Sequence, residues 1–186
     1  MIKAEEHSTE VAIPNRLGFH VRPVQRFAEL AKVFSADVTV ELRGREVPGK
    51  SVMNLMSLGG RSGDRIRITA RGKDARQAVE VLRFLAENSF FVEDELNPCD
   101  EPQRHMERLA RLASCFQSEI VAEANGDCAN AKEREELLAL ELVPTSRPKF
   151  RVQGADAEQA QQVLDNLVRH CFYVEEELVK KGRKGE

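Results

Sequence analysis

The sequence predicts an α+β fold: a two-layer, open-faced β-sandwich in which an antiparallel sheet carries helices on one face, duplicated in tandem. Three observations predict it. Segments of period-two alternation exchange with segments of helical period in the order β-α-β-β-α-β-α. Glycine-containing turns of the hairpin kind stand between the paired strand segments. The pattern then returns when the chain is slid along itself by 82 positions.

Taken in order, Val11 and Ile13 alternate with polar neighbours as a short strand that ends at Pro14-Asn15. Val21, Val24, Phe27, Ala28, Ala31 and Phe34 follow helical spacing and predict a helix over 21–34 with those side chains inward. Val38, Val40 and Leu42 alternate with Thr39 and Glu41, and Arg43-Gly44 turns the chain back through Glu46-Val47. Lys50 to Leu58 reads as a short helix with Ser51 as N-cap, and Gly59-Gly60 ends it. Ile66, Ile68 and Ala70 form a further strand. Asp74 with Gln77 three residues on predicts a capping box for the last helix, whose buried face is Ala75, Ala78, Val81, Leu82 and Leu85.

The 82-residue shift aligns G-K-D-A-R-Q-A-V-E-V-L with G-A-D-A-E-Q-A-Q-Q-V-L, and F-F-V-E-D-E-L with F-Y-V-E-E-E-L. It also matches Arg22 with Arg104, Ala31 with Ala113, Phe34 with Phe116, Gly44 with Gly126 and Lys50 with Lys132; in all, 26 of the 82 positions from Asn15 to Leu96 are identical without a gap. Chance does not sustain that in one register. The expected organisation is therefore a first domain over 1–96 and a second over 97–186, divided near Asn97-Pro98. In the second copy Ile120 and Val121, then Phe150 with Val152, supply strands. Leu109, Leu112 and Phe116, then Val163, Leu164 and Leu167, supply helix faces, and Asp156 with Gln159 repeats the capping box. No first strand is apparent there, because the residues opposite Glu10–Pro14 belong to the preceding helix.

Composition excludes several classes of function. A formal charge of −3 gives no pull toward nucleic acid. No apolar run approaches the roughly 18 residues of a membrane span, and the N-terminus lacks an apolar signal core, so the expected location is cytoplasmic. Cys99, Cys115, Cys128 and Cys171 show neither C-x-x-C nor zinc-ligand spacing and are expected to be reduced and structural. No metal and no cofactor is implied.

The informative stretch is N-R-L-G-F-H-V-R-P, Asn15 to Pro23. It places His20 after a glycine turn at the start of a helix. First-turn N–H groups lack intrahelical partners and carry the positive end of the helix dipole, so a phosphate at His20 would meet donors there. The same field opposes protonation of the ring and keeps more of it nucleophilic near pH 7. Arg22 offers a donor fork for phosphate oxygens. Pro23 fits only within the first turn.

N-R-L-G-F-H-V-R-P followed by G-K-S-V-M-N-L-M-S-L-G resembles the histidine-containing phosphocarrier (HPr) family of the sugar and nitrogen phosphotransferase systems, over residues 10 to about 92. The resemblance implies that His20 takes a phosphoryl group on Nδ1 from enzyme I and passes it to an EIIA- or EIIB-type protein. It implies that Arg22 and the helix-start amides neutralise the group in transit, so that the protein is a covalent intermediate rather than a stand-alone enzyme. It further implies that Ser51 is a regulatory site for a dedicated serine kinase/phosphorylase. Val21 departs from the family, where alanine is usual. The F-F-V-E-D-E-L ending is similar to the nitrogen branch, and the segment around Ser51 to regulated sugar-branch members.

Plainer readings stand beside these. Arg22 and Arg26 also fit as solvated helix residues, and Ser51 as a helix cap alone. Met53 and Met56 fit as core or gap-filling residues, or, with Phe27, as a partner-docking patch. In the second copy Pro102 stands opposite His20 and Glu133 opposite Ser51. That copy is expected to lack the acceptor, with His105 and His170 out of register and Glu133 part of a charged helix. The alternative to a carrier is a non-catalytic regulatory binding protein controlled by phosphorylation of Ser51, or an interaction module that keeps its histidine by descent.

Overall fold

The computed structural model describes residues 5–91, 102–142 and 148–171. The sequence boundary at Asn97-Pro98, the acidic ending at 92–96 and Cys99 lie outside them. The chain divides into two compact units, Met1–Glu93 and Asp94–Glu186.

In the first unit the elements are β1 (Glu6–Ala12), α1 (Val21–Val33), β2 (Asp37–Leu42), β3 (Arg45–Pro48), α2 (Val52–Ser57), β4 (Arg65–Arg71) and α3 (Ala75–Glu87). The sheet is antiparallel with order β1-β4-β2-β3. Strand β1 is longer than alternation at Val11 and Ile13 suggests, because seven residue pairs join it to β4, from Glu6–Arg71 to Ala12–Arg65. The β2–β3 turn uses positive φ at Arg43 (54°) and Gly44 (79°), the backbone that a two-residue hairpin with the natural strand twist requires.

Period two sorts the sheet. Val11, Val38, Val40, Leu42, Ile66, Ile68 and Ala70 point under the helices and are buried. The outward residues form an ion-pair ladder centred on β4. Arg67 bonds Glu10 at 2.8 Å and Glu41 at 3.1 Å, and Arg71 bonds Glu6 at 2.5 Å. Each exposed pair contributes little alone, but the ladder gives β1 and β2 opposite charge to the strand between them.

Two expectations about the helices change. Asp74 does not cap α3 through its side chain. Its carboxylate accepts from Ser35 N at 2.7 Å, Ser35 Oγ at 3.0 Å and Ala36 N at 2.8 Å, pinning the end of α1 to the start of α3. Burial would raise its pKa, but these donors outweigh burial and leave it lowered. Arg26 is not solvated. It is 4% exposed, and its Nη1 donates to the Phe90 carbonyl at 2.8 Å. Phe90 sits at φ 56°, just past α3, and its fully buried ring packs edge-on to Phe19 at 5.8 Å. A charged donor reaching a buried carbonyl satisfies both groups.

In the second unit the elements are α4 (Pro102–Ala113), β5 (Glu119–Ala124), β6 (Asp127–Asn130), α5 (Arg134–Ala139), β7 (Lys149–Gln153) and α6 (Ala157–Cys171). The antiparallel order is β6-β5-β7. Contacts of the first unit recur 82 residues on. Lys50 Nζ donates to the Phe34 carbonyl and Lys132 Nζ to the Phe116 carbonyl, both at 2.8 Å. Asp156, at the Asp74 position, likewise accepts from Gln117 N at 2.8 Å, Ser118 N at 2.9 Å and the Ser118 hydroxyl. Arg108, opposite Arg26, is likewise buried. The turn at Asn125 and Gly126 again has positive φ at both residues.

Candidate functional site

The loop before α1 is built from the inside out. Asn15 is 2% exposed, and its Nδ2 donates to the Gly18 carbonyl at 2.5 Å while Gly18 N returns a bond to Asn15 O at 3.0 Å. Gly18 adopts φ 63°. A Cβ there would collide with the Gly60 carbonyl and lie 2.8 Å from Arg61 Cα, so glycine is required twice over. Phe19 N donates to Gly60 O at 2.8 Å, and the Phe19 ring is buried. The turn that ends α2 thus clamps the residue before His20.

His20 is the N-cap of α1, with extended backbone (φ −116°, ψ −176°). Its carbonyl accepts the first helical bond, from Val24 N at 3.3 Å, and its side chain caps nothing. The imidazole is therefore not consumed by the helix it starts. It is half-buried, not enclosed. Val21 and Arg22 occupy the first two helical positions, where N–H groups have no intrahelical acceptor. Pro23 follows within the same turn. Arg22 is exposed and near enough to act on the ring electrostatically.

Burial, and after it the Arg22 charge, holds the His20 pKa below its ordinary 6.5. The neutral ring is thus favoured near neutrality. The unfolded chain binds more protons at this ring, so its stabilising contribution is complete above 6.5 and lost as pH falls from 6.5 through the folded value. An NMR titration is expected to place the His20 midpoint below 6.5, and Arg22→Gln to move it upward. A midpoint at or above 6.5 would contradict this environment.

The remaining sequence-derived residues separate. Ser51 is the half-buried N-cap of α2, its Oγ accepting from Asn54 N at 3.4 Å. Met53 is 79% exposed and Met56 half-buried. Phe27 is 0% exposed, so its place in a docking patch is corrected: it lies on the face of α1 turned to the sheet and no partner can reach it. Val21 moves the other way. Helical spacing assigns it to the core stripe, yet as the first residue of α1 it is 59% exposed. Leu17 is 64% exposed. Among the described residues, the exposed large apolar side chains are Leu17, Val21 and Met53. They lie on the His20 loop, on the first turn of α1 and on α2, which packs against α1. Leu17 had no periodic signal; only its adjacency to Gly18-Phe19-His20 marks it.

Among the described residues there is no group of three or more His, Cys, Asp or Glu able to hold a metal ion. No helix among them is long and apolar enough to cross a membrane. Of the cysteines described, Cys115 is half-buried, its thiol donating to the Arg111 carbonyl at 3.5 Å, and Cys128 is exposed.

The family model described as the PTS HPr component phosphorylation site matches residues 7–88, the stretch that forms the first sheet and its helices. The phosphocarrier protein HPr of Xylella fastidiosa (strain Temecula1) is 35% identical over 81 residues, 44% of this chain and 91% of that protein. The chain belongs to the histidine-containing phosphocarrier (HPr) family, through its first unit. The PEP-dependent dihydroxyacetone kinase phosphoryl donor subunit DhaM of Escherichia coli K12 is 36% identical over 94 residues, half of this chain but only 20% of that longer protein. Among solved structures, HPr-C-His from Thermoanaerobacter tengcongensis matches at 34% identity and a TM-score of 0.44, covering 45% of this chain and 94% of that one.

Proposed function

We propose that the protein is a phosphocarrier of a phosphoenolpyruvate-dependent phosphotransferase system, with His20 as its acceptor. The observation that carries this reading is an N-cap imidazole that caps nothing, held by Gly18 and Phe19 at the open end of a 13-residue helix. The lone pair of His20 Nδ1 attacks phosphorus in a donor phosphohistidine of enzyme I. A P–N bond forms at His20, the donor P–N bond breaks, and the donor ring leaves with its electron pair. Phosphoryl transfer asks mainly for positioning and charge stabilisation; the Arg22 guanidinium and the Val21 and Arg22 amides supply both. The group then passes to an EIIA- or EIIB-type protein, with Leu17, Val21 and Met53 as the apolar docking rim and Met56 at its margin.

In the same reading the second unit is a degenerate tandem copy. The 82-residue register and the recurring lysine and aspartate contacts support it. Pro102 opens α4 where His20 precedes α1, and Glu135 stands exposed at the Met53 position. This unit neither accepts the phosphoryl group at that position nor offers the same apolar rim. Incubation with phosphoenolpyruvate and enzyme I tests the proposal: one acid-labile, base-stable phosphate per chain is expected, on the peptide containing His20. Label on the second unit would defeat it.

A regulatory role for Ser51 is favoured by its half-buried hydroxyl at the start of the helix that carries Met53. A phosphate there would change the charge of the docking rim without unfolding α2. ATP and the serine kinase should label the wild type and not Ser51→Ala. Labelling of both would remove the site.

A further inference from the structure

Strand β4 of the first unit is paired on both sides, by β2 and by β1. Strand β7, its counterpart, is paired on one side only: its bonds run to β5, and among the described residues no strand lies along its other edge. Burial records the difference. Ala70 and Ala75 are fully buried in the first unit, where β1 packs over α3. Their counterparts Val152 and Ala157 are half-buried, and so is Val168, opposite the fully buried Ala86. Val79 and Phe84 are replaced by Gln161 and Asn166, both half-buried. A band that mixes small apolar side chains with Gln161 and Asn166 thus runs beside the edge of β7 along which, among the described residues, no strand is paired.

The first unit displays what such an edge accepts. Strand β1 sets Glu6 against Arg71 and Glu10 against Arg67 on the outer face, and turns His7, Thr9 and Val11 toward the helices. In the second unit Lys149 occupies the Arg67 position and Arg151 the Thr69 position, both exposed and basic. Arg151 already pairs with Glu123 of β5, as Arg67 pairs with Glu41 of β2 while also binding Glu10 of β1. We propose that this edge of β7, unpaired among the described residues, binds an extended segment of a partner protein, added antiparallel, with acidic residues alternating outward and apolar residues turned toward α6. Main-chain bonds supply affinity and the alternating side chains supply selection. A second copy is a poorer occupant. Two β7 strands paired about a two-fold at Arg151 would face arginine with arginine, and like charges directly opposite are destabilising. A neighbour's β1 would have to leave its own seven-pair register.

The inference rests on the second sheet and not on phosphotransfer. Its probe is a labelled synthetic peptide with the sequence of Glu6–Ile13, carrying Ser8→Glu to face Arg151, added to the full-length chain. Saturable binding is expected, with amide exchange on β7 slowed about tenfold or more. Replacing the three peptide glutamates by lysine, or Lys149→Glu with Arg151→Glu in the protein, should weaken binding about tenfold or more. Three results would overturn the proposal. The peptide at about 1 mM, a weak-binding concentration, leaves β7 exchange unchanged or protects β4 instead. Or β7 is already protected in the peptide-free monomer, so that a segment of the chain itself covers the edge. Or sedimentation shows a dimer whose formation protects β7, which makes a second copy the occupant.

Discussion

His20→Ala is expected to abolish phosphoryl acceptance and leave the fold standing. The side chain is half-buried and makes no capping bond, so its removal takes away neither a core contact nor the helix start. Substitutions of that kind shift stability by about 0.5 kcal/mol or less. The chemical loss is of another order. No other group in the loop supplies a nitrogen lone pair: Asn15 is buried in the turn, and Arg22 is a permanent cation. Removing the nucleophile from a covalent mechanism costs at least about a thousandfold in rate. Label from phosphoenolpyruvate through enzyme I should fall to background, with the urea midpoint unchanged. Arg22→Ala should slow transfer by about 10- to 100-fold, because it removes a charge partner and spares the acceptor. Equal labelling of wild type and His20→Ala would move the acceptor elsewhere and end the assignment.

Phe27→Ala has the largest expected effect on stability. The ring is fully buried between α1 and the sheet, and Gly49 leaves it room: a Cβ at Gly49 would lie 3.3 Å from Phe27 Cε1 and 2.8 Å from Val38 Cγ1. Deleting a ring from such a place loses its transfer free energy and leaves a cavity, together about 3–5 kcal/mol. That is a large part of what a domain of this size has. Urea unfolding of the full chain should show the first-unit transition moving to lower denaturant by that amount. Phosphoryl acceptance should fall in proportion to the unfolded fraction. A stable variant that instead lost affinity for its phosphotransfer partners would return Phe27 to the docking surface.

The two predictions mark where sequence reading succeeded and where it stopped. The histidine at a helix start, the glycine before it and the proline after it are local features, each fixed by backbone geometry within a few residues. The hairpin at Arg43-Gly44 is local too, as is the shift of 82 residues that repeats it at Asn125-Gly126. Period two and period 3.6 then sorted most inward from outward side chains. What failed was any assignment that depends on a partner far along the chain. Asp74 looked like the cap of its own helix and instead binds residues 38 and 39 positions away. Arg26 looked solvated and instead meets a carbonyl 64 positions away. Periodicity turned Phe27 inward, as found, and only the docking role given to it failed; Val21 was turned inward and is exposed, since periodicity gives the direction of a side chain but not what covers it.

The sequence by itself determined the helices and strands of the first unit, their order and the residue types at Asn15–Pro23, because all of these follow from short-range backbone preference and pattern. Tertiary structure alone decided which of those groups are reachable. The close approach of Gly60 to Gly18 and Phe19 presents His20, the sheet hides Phe27, and β7 is left paired on one side among the described residues. Exposure depends on which distant segments meet, and no local pattern encodes that.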